Sequence, residues 1–499
     1  MSPRRLYGVV ATCAAVVYLG ALWNHFAWDD TFIILGSDLV RSSSGWWHAF
    51  ASPYWPPGLG GNLYRPLTIA TYALDWRLDG AAWFHAVNVL WHAAATVLVA
   101  VLARRWAGDP AALVAGVVFA VHPVHVEAVA NVVGRAELMA AAFTLLAVYA
   151  AVERQSPGWS TASWILGLLC KESAAVAPAL IATAWALGLG RPSRGRMLVF
   201  VGCWVASGAA YFGVRELVLH PYTAFLVIAP VFMGQSPAAM RLTAVAALAD
   251  VTRLLLVPLT LRADYSPNER TIVSTPLDWR FAAGVVCLIA WGTLLVLAWR
   301  SGRKVEALGL GWIALAFAPV ANLLFPSGVL IAERTLYLPS VGLALAAGAL
   351  ARGLRGRALG LLVAAVAVLG GARTVARIPV WRSNRGVTLS ILQDSPRSYV
   401  GPMATAAIYF EQGRADKALE ATRIAASIFP LDARAFLMQA HAALKLQRNA
   451  LADSLLSRAD RICSPCQGLY DAEVAMARRL GDTTVAGYLA AHARQLQRP

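Results

Sequence analysis

Charge is what this sequence has least of. Only 14% of its 499 residues are Asp, Glu, Lys or Arg, against 58% that are apolar, and the mean hydropathy is +0.57. That balance excludes an ordinary soluble globular chain. Acidic residues are the scarcer sign, 27 against 43 basic, leaving a formal charge of +16. Nucleic acid is excluded as the reason, because most of the basic residues lie in short loops between apolar segments, where arginine sets membrane orientation. Lysine is nearly missing: Lys171, Lys304, Lys417 and Lys445 are its four positions, which points to a compositional bias of the source. The six cysteines do not make a disulfide framework. Cys13, Cys170, Cys203 and Cys287 fall in apolar segments as small core residues. Cys463 and Cys466 form a lone CxxC, either a local disulfide in an oxidising compartment or nothing. No GxxxxGK[ST] run is present, which argues against a nucleotide-driven pump. No small-x-small cleavage site precedes Trp23-Asn24-His25, so the basic and then apolar N-terminus reads as an uncleaved first span.

Long apolar runs recur up to about residue 378, the mark of a polytopic membrane protein. They place about eleven spans, at 6–23, 83–103, 111–129, 134–152, 161–171, 174–190, 197–218, 280–299, 307–325, 337–351 and 358–377. The fifth is too short to cross alone at ~1.5 Å per residue, and with Lys171-Glu172 at its end it reads as a broken or shallow helix lining a cavity. With the N-terminus inside, nearly every inside loop is basic: Arg4/Arg5, Arg104/Arg105, Arg191/Arg194/Arg196, Arg300/Arg303/Lys304 and Arg352/Arg355/Arg357. This agreement predicts a cytoplasmic N-terminus and an extracytoplasmic C-terminal region. The stretch 220–279 is ambiguous, reading as an extra hairpin or as interfacial helices.

The outer loops then collect the scarce ionisable residues. Asp29 and Asp30 directly follow the first span, in Phe26-Ala27-Trp28-Asp29-Asp30-Thr31. The same loop carries Asp38, Arg65, Asp75 and Asp79, with the interfacial aromatics Trp46, Trp47, Phe50, Tyr54 and Trp55. The next outer loop brings His122, His125, Glu127, Arg135 and Glu137, the fifth–sixth junction Lys171 and Glu172, and the last loop Glu333 and Arg334. Ionisable groups near membrane depth are costly and usually functional, and four loops place them on one side. That convergence predicts an active or binding site on the outer face. His122 and His125, three apart, face the same way on a helix and have ligand chemistry, but they read as hydrogen-bonded structural groups and no metal is expected. Tyr64, Arg65 and His85 read as residues that fix the first loop. A transporter is disfavoured, since no inverted repeat is visible and the ionisable groups are one-sided.

From about 399 the chain repeats every 34 residues. Gly413, Gln447 and Gly481 share one phase, Ala418, Ala452 and Ala486 a second, and Ala425, Ala459 and Ala493 a third. Small residues let the two helices of a hairpin approach, and this period is that of tetratricopeptide repeats. About three repeats are present, near the minimum for a stable stack. The expected organisation is a multispanning domain at 1–380, a linker at 381–398 and the repeats at 399–499: all-α throughout.

Several runs carry a resemblance: Trp28-Asp29-Asp30, Asn62-Leu63-Tyr64-Arg65-Pro66-Leu67-Thr68, Phe84-His85-Ala86-Val87-Asn88, His122-Pro123-Val124-His125-Val126-Glu127 with Gly134-Arg135-Ala136-Glu137, Lys171-Glu172-Ser173, and Glu333-Arg334-Thr335-Leu336-Tyr337. In these, and in the repeats that follow, the chain resembles a short, bacterial-type member of the transmembrane-and-tetratricopeptide O-mannosyltransferase family, which has the GT-C glycosyltransferase fold. The resemblance implies transfer of a mannose-like hexose from a polyprenyl phosphate to a hydroxyl acceptor, a protein or glycan, with no cofactor beyond the lipid-linked donor. Local chemistry agrees. Polyprenyl phosphate leaves as a stable anion, so the need is a base for the acceptor hydroxyl, Asp29 or Asp30, and a cation for the phosphate, first Arg334 and then Arg135 or Lys171. Glu127, His122, His125, Glu137, Glu333 and Arg65 are expected to support that site. The alternative is a non-enzymatic membrane receptor or assembly scaffold that binds a protein through its repeats, with no catalytic use of the acidic loop.

Overall fold

The computed structural model describes residues 1–56, 63–78, 80–220, 228–463 and 466–496; Asn62 and Asp79 lie outside them. Helices and turns account for all the regular structure among the described residues. Their starts follow local chemistry. Ser156, Ser193, Ser236, Asp278, Ser383 and Asp432 each accept a backbone N–H from the first helical turn, and Pro157 and Pro237 occupy first positions, where a missing N–H costs nothing.

Helices stand at all eleven expected positions, but fewer are long enough to cross. Seven helices have the length and apolarity to span: Pro3–Trp23, Ala81–Ala107, Val132–Val152, Arg194–Leu219, Trp279–Arg300, Glu333–Gly353 and Gly356–Arg382. An eighth is reached if Asp109–Val121 and Pro123–Ala130, bent by 47° at the His122-Pro123 break, count as one. The remaining expected positions are held by shorter helices. Pro157–Cys170 and Lys304–Phe317 have 14 residues each, and Ala177–Ala186 has ten. At ~1.5 Å per residue these reach roughly 21 Å or less, short of a hydrocarbon core of about 30 Å. Apolarity alone cannot show such breaks. In the ambiguous stretch, Pro237–Leu256 is a 20-residue helix against Trp279–Arg300, outside the spanning set.

Two kinds of helix make up the membrane part. Val132–Val152 and Glu333–Gly353 are buried inside it, whereas Trp279–Arg300 and Gly356–Arg382 show lipid most of their surface. Without water to drive helices together, close contact rests on small residues. Gly309 and Gly342 provide it where Lys304–Phe317 crosses Tyr337–Leu350: a Cβ on Gly342 would come within 2.2 Å of the Gly309 carbonyl oxygen. Loops expected on the side of the N-terminus contact one another in pairs. The Trp106 indole donates to Glu153 (2.8 Å), Arg196 to Gln155 (3.0 Å) and Arg352 to Glu306 (3.2 Å).

The C-terminal part is three helical hairpins: Val400–Glu411 with Ala415–Ile428, Ala433–Lys445 with Asn449–Ile462, and Gln467–Arg479 with Thr483–Gln495. The 34-residue phases have direct structural meaning. Gly413, Gln447 and Gly481 all sit at turns with φ of +72°, +57° and +78°, and the two alanine phases are buried where the helices cross. A bonded pair, Cys463 and Cys466, follows the second hairpin. Residues 384–394, expected as linker, form a helix. The loop after Pro237–Leu256 fastens the hairpins to the membrane part. The Asn268 side chain donates to the Ile428 carbonyl (2.8 Å), and the Tyr399 N–H donates to the Pro267 carbonyl (2.8 Å).

Gln447 bears the steric penalty of the left-handed region that its two glycine counterparts avoid. Gln447→Gly is expected to raise the stability of the repeat region by about 0.5–1 kcal/mol, and Gly481→Ala to lower it by a similar amount. Denaturant unfolding of the full chain, read in the repeats, checks both signs; a fall for Gln447→Gly contradicts the account.

Candidate active site

The site is built from loops that the helices hold at one end of the bundle. After the first span the chain turns at Trp28, a bulky residue at φ +59° whose N–H is held by Asn384 Oδ1 (2.6 Å). This turn sends the two adjacent carboxylates to different places. Asp30 is fully buried. Its Oδ1 accepts the N–H of Val133 (2.8 Å) and its Oδ2 those of Ala27 (3.1 Å) and Val132 (3.3 Å). Burial lifts its carboxyl to about 7 against the pull of those three donors, and the neighbouring Asp29 adds to the lift. Asp29 is only partly buried, and its carboxylate takes no hydrogen bond among the described residues. Burial raises its pKa, Arg334 and Arg65 oppose the rise, and Glu127 adds to it. Asp29 thus lies within electrostatic reach of Arg65 in its own loop and of two other loops, through Glu127 and Arg334.

The expected cations are nearly all paired. Glu127 bridges Arg334 twice, accepting from Nη1 (2.6 Å) and from the backbone N–H (2.8 Å). The Arg334 side chain keeps 28% of its surface exposed, and its Nε and Nη2 make no hydrogen bond among the described residues. Lys171 pairs with Glu137. Arg65 grips Glu172 Oε2 through Nε (3.1 Å) and Nη2 (2.9 Å). Arg135, by contrast, is wholly buried. It bonds Asp75, Asn88 Oδ1 (2.9 Å) and the Phe84 carbonyl (2.9 Å) and lies over the Tyr72 ring. Every edge of its guanidinium is used inside the fold.

The remaining candidates are structural in their contacts. Glu333 is buried, and its Oε1 accepts the Arg262 N–H (2.5 Å) and the Tyr265 hydroxyl (2.9 Å). His122 Nε2 lies 3.0 Å from the Leu255 carbonyl, and His125 Nε2 lies 2.6 Å from Ser340 Oγ. Among the described residues no group of three or more His, Cys, Asp or Glu side chains is placed to hold a metal ion. Sequence reasoning did not single out Asp75 as the partner of Arg135, nor Arg262, Tyr265 and Tyr211. Asp75 was visible as an acid in the first loop, while Tyr211 lies in an apolar run with no local signal.

With this geometry in view, similarity to known proteins becomes informative. The chain is 29% identical to the protein O-mannosyl-transferase TMTC4 of Homo sapiens, covering 78% of this chain and 61% of that protein. It is 29% identical to the human protein O-mannosyl-transferase TMTC3, over 68% and 41% respectively. Over most of its length the chain is similar to protein O-mannosyl-transferases. Over a shorter stretch, 33% of the chain, it is 36% identical to the protein O-mannosyl-transferase Tmtc2 of Drosophila melanogaster. The chain spans about three-fifths or less of the length of these relatives. No family model and no solved structure matches it. Similarity to these transferases covers most of the chain, as the sequence runs in the outer loops implied.

Asp29 and Asp30 are therefore not equivalent. Asp30→Asn replaces one acceptor oxygen by an amide that faces N–H groups, and is expected to cost about 1–3 kcal/mol of stability. Asp29→Asn breaks no hydrogen bond and is expected to stay within about 0.5 kcal/mol of the parent. Thermal unfolding of the two full-chain variants in detergent checks the contrast; equal losses would remove it.

Proposed function

We propose that this chain is an integral-membrane glycosyltransferase that moves a mannose-like hexose from a polyprenyl phosphate to a hydroxyl acceptor on the extracytoplasmic face. The observation that carries the reading is an unbonded carboxylate, Asp29, within electrostatic reach of an arginine, Arg334, with an unbonded edge. The names of the relatives support the transfer class and suggest a protein acceptor. In the proposed reaction Asp29 takes the acceptor hydroxyl proton as the oxygen attacks the anomeric carbon from the face opposite the phosphate. The bond from that carbon to the phosphate oxygen breaks, its electron pair leaves with polyprenyl phosphate, and the sugar configuration inverts. The Nε–Nη2 edge of Arg334 grips the departing phosphate in a bidentate manner. Glu127 holds the guanidinium from its other side. Lys171 and Arg65 add positive potential, so the reading calls for no metal. In this reading the repeats lie on the same outer side and present the acceptor or a partner protein.

If Asp29 is the base, Asp29→Asn is expected to cut transfer by ~100-fold or more. The pH profile carries a second signature. The base works only when deprotonated and its pKa is raised, so activity is lost as pH falls, along a limb above the ordinary carboxylate value of about 3.9. Full activity in Asp29→Asn would pass the role to another group.

Binding separates the enzyme from a scaffold. Arg334→Ala is expected to weaken binding of bare polyprenyl phosphate by ~1.5–3 kcal/mol. Arg334→Lys is expected to recover only part, since an ammonium keeps the charge and loses the planar fork. A parent protein with no affinity for polyprenyl phosphate would favour the scaffold.

A further inference from the structure

Buried polar atoms are almost always hydrogen-bonded, and an exception asks for an explanation. Three exceptions gather beside the site. Glu172 Oε1, Ser173 Oγ and the Tyr211 hydroxyl are buried, and none finds a partner among the described residues. Tyr211 keeps only 6% of its surface exposed although it belongs to a helix long enough to span. The three are held on adjoining walls. The Trp164 indole donates to the Ala174 carbonyl (3.0 Å), next to Ser173, while its ring lies against Gly208, one turn from Tyr211. Tyr211 is within electrostatic reach of Glu172 and Arg65 without bonding either. Its ring stands 6.1 Å from that of Tyr64, whose hydroxyl is tied to the Phe50 carbonyl (2.8 Å).

The chemistry of this group of atoms is specific. It offers one carboxylate oxygen that accepts, two hydroxyls that both donate and accept, and two aromatic rings. A phosphate would be repelled by Glu172, and an aliphatic chain would leave all three polar atoms unsatisfied. A hexose ring matches, with several hydroxyls at its rim and apolar C–H faces for the tyrosine rings. Position agrees as well: Arg65, which grips the other oxygen of Glu172, is one of the charges that act on Asp29. We propose that Glu172, Ser173 and Tyr211 form the subsite that reads the hydroxyls of the donor's hexose. This rests on the transferase reading above.

The test uses the purified full chain and two probes, polyprenyl-phosphate mannose and bare polyprenyl phosphate. The parent is expected to bind the sugar-bearing lipid more tightly than the bare one. Tyr211→Phe and Ser173→Ala each remove one hydroxyl with little change of shape. Each is expected to weaken binding of the sugar-bearing lipid about tenfold, the scale of one hydrogen bond, and to leave the bare lipid within about twofold. Arg334→Ala is expected to weaken both probes alike. If the parent prefers the sugar and both hydroxyl variants keep that preference, the subsite is overturned while the transferase reading stands, and the three atoms are served by water only. If the parent binds neither lipid, the transferase reading fails and the subsite with it.

Discussion

A charge buried in an apolar helix bundle must meet an opposite charge or a set of donors, and one end of this bundle is arranged around that requirement. Arg334 meets Glu127, Lys171 meets Glu137, Arg65 meets Glu172 and Arg135 meets Asp75. Each pair joins segments far apart in sequence, so the pairs also fix how the loops lie against one another. Removing one member would strand the other, which is far costlier than never having placed the pair. The pairs therefore act as a frame. Beside that frame the partly buried Asp29 has no hydrogen bond among the described residues, and within it the outward edge of Arg334 and Glu172 Oε1 have none.

Asp30 solves the same problem by other means. Among the described residues it has no cation bonded to it and instead gathers three backbone N–H groups from two loops. A carboxylate used this way is a staple between the first loop and the turn ahead of Val132–Val152. It holds the Trp28 turn in place, and with it the direction in which Asp29 points. The same device recurs at Glu333, which ties Arg262 and Tyr265 to the last loop immediately before Arg334. Both residues next in sequence to the proposed reacting groups are thus buried anchors.

The convergence of four loops was legible in the sequence because charge is so rare in it: an ionisable residue near an apolar run stands out. The repeats were legible because Gly413, Gln447 and Gly481 keep one phase, and each marks a left-handed turn. Pairing was not legible. Arg334 has Glu333 as its chain neighbour yet bonds Glu127, more than two hundred residues away. The separate fates of Asp29 and Asp30 depend on the backbone of Trp28, which no composition rule gives. The lengths of the individual helices were not legible for a related reason. Hydropathy registers apolar residues and not helix breaks, and the short helices Pro157–Cys170 and Ala177–Ala186 are separated by a polar, partly buried junction.

The loop after the first span is closed from the far end of the membrane part. Asn384 holds Trp28, the Arg382 carbonyl accepts the N–H of His25, and the Ile378 carbonyl lies 3.5 Å from the Asn24 amide. The sequence separation of the first contact is 356 residues. A ribosome adding ~5–20 residues per second needs tens of seconds to cover that distance. During that interval the aspartate pair exists without the residues that orient it. Assembly of the centre is thus one of the last events of membrane insertion, and a chain cut short before residue 378 carries most of its charged pairs but lacks the closure of its first loop.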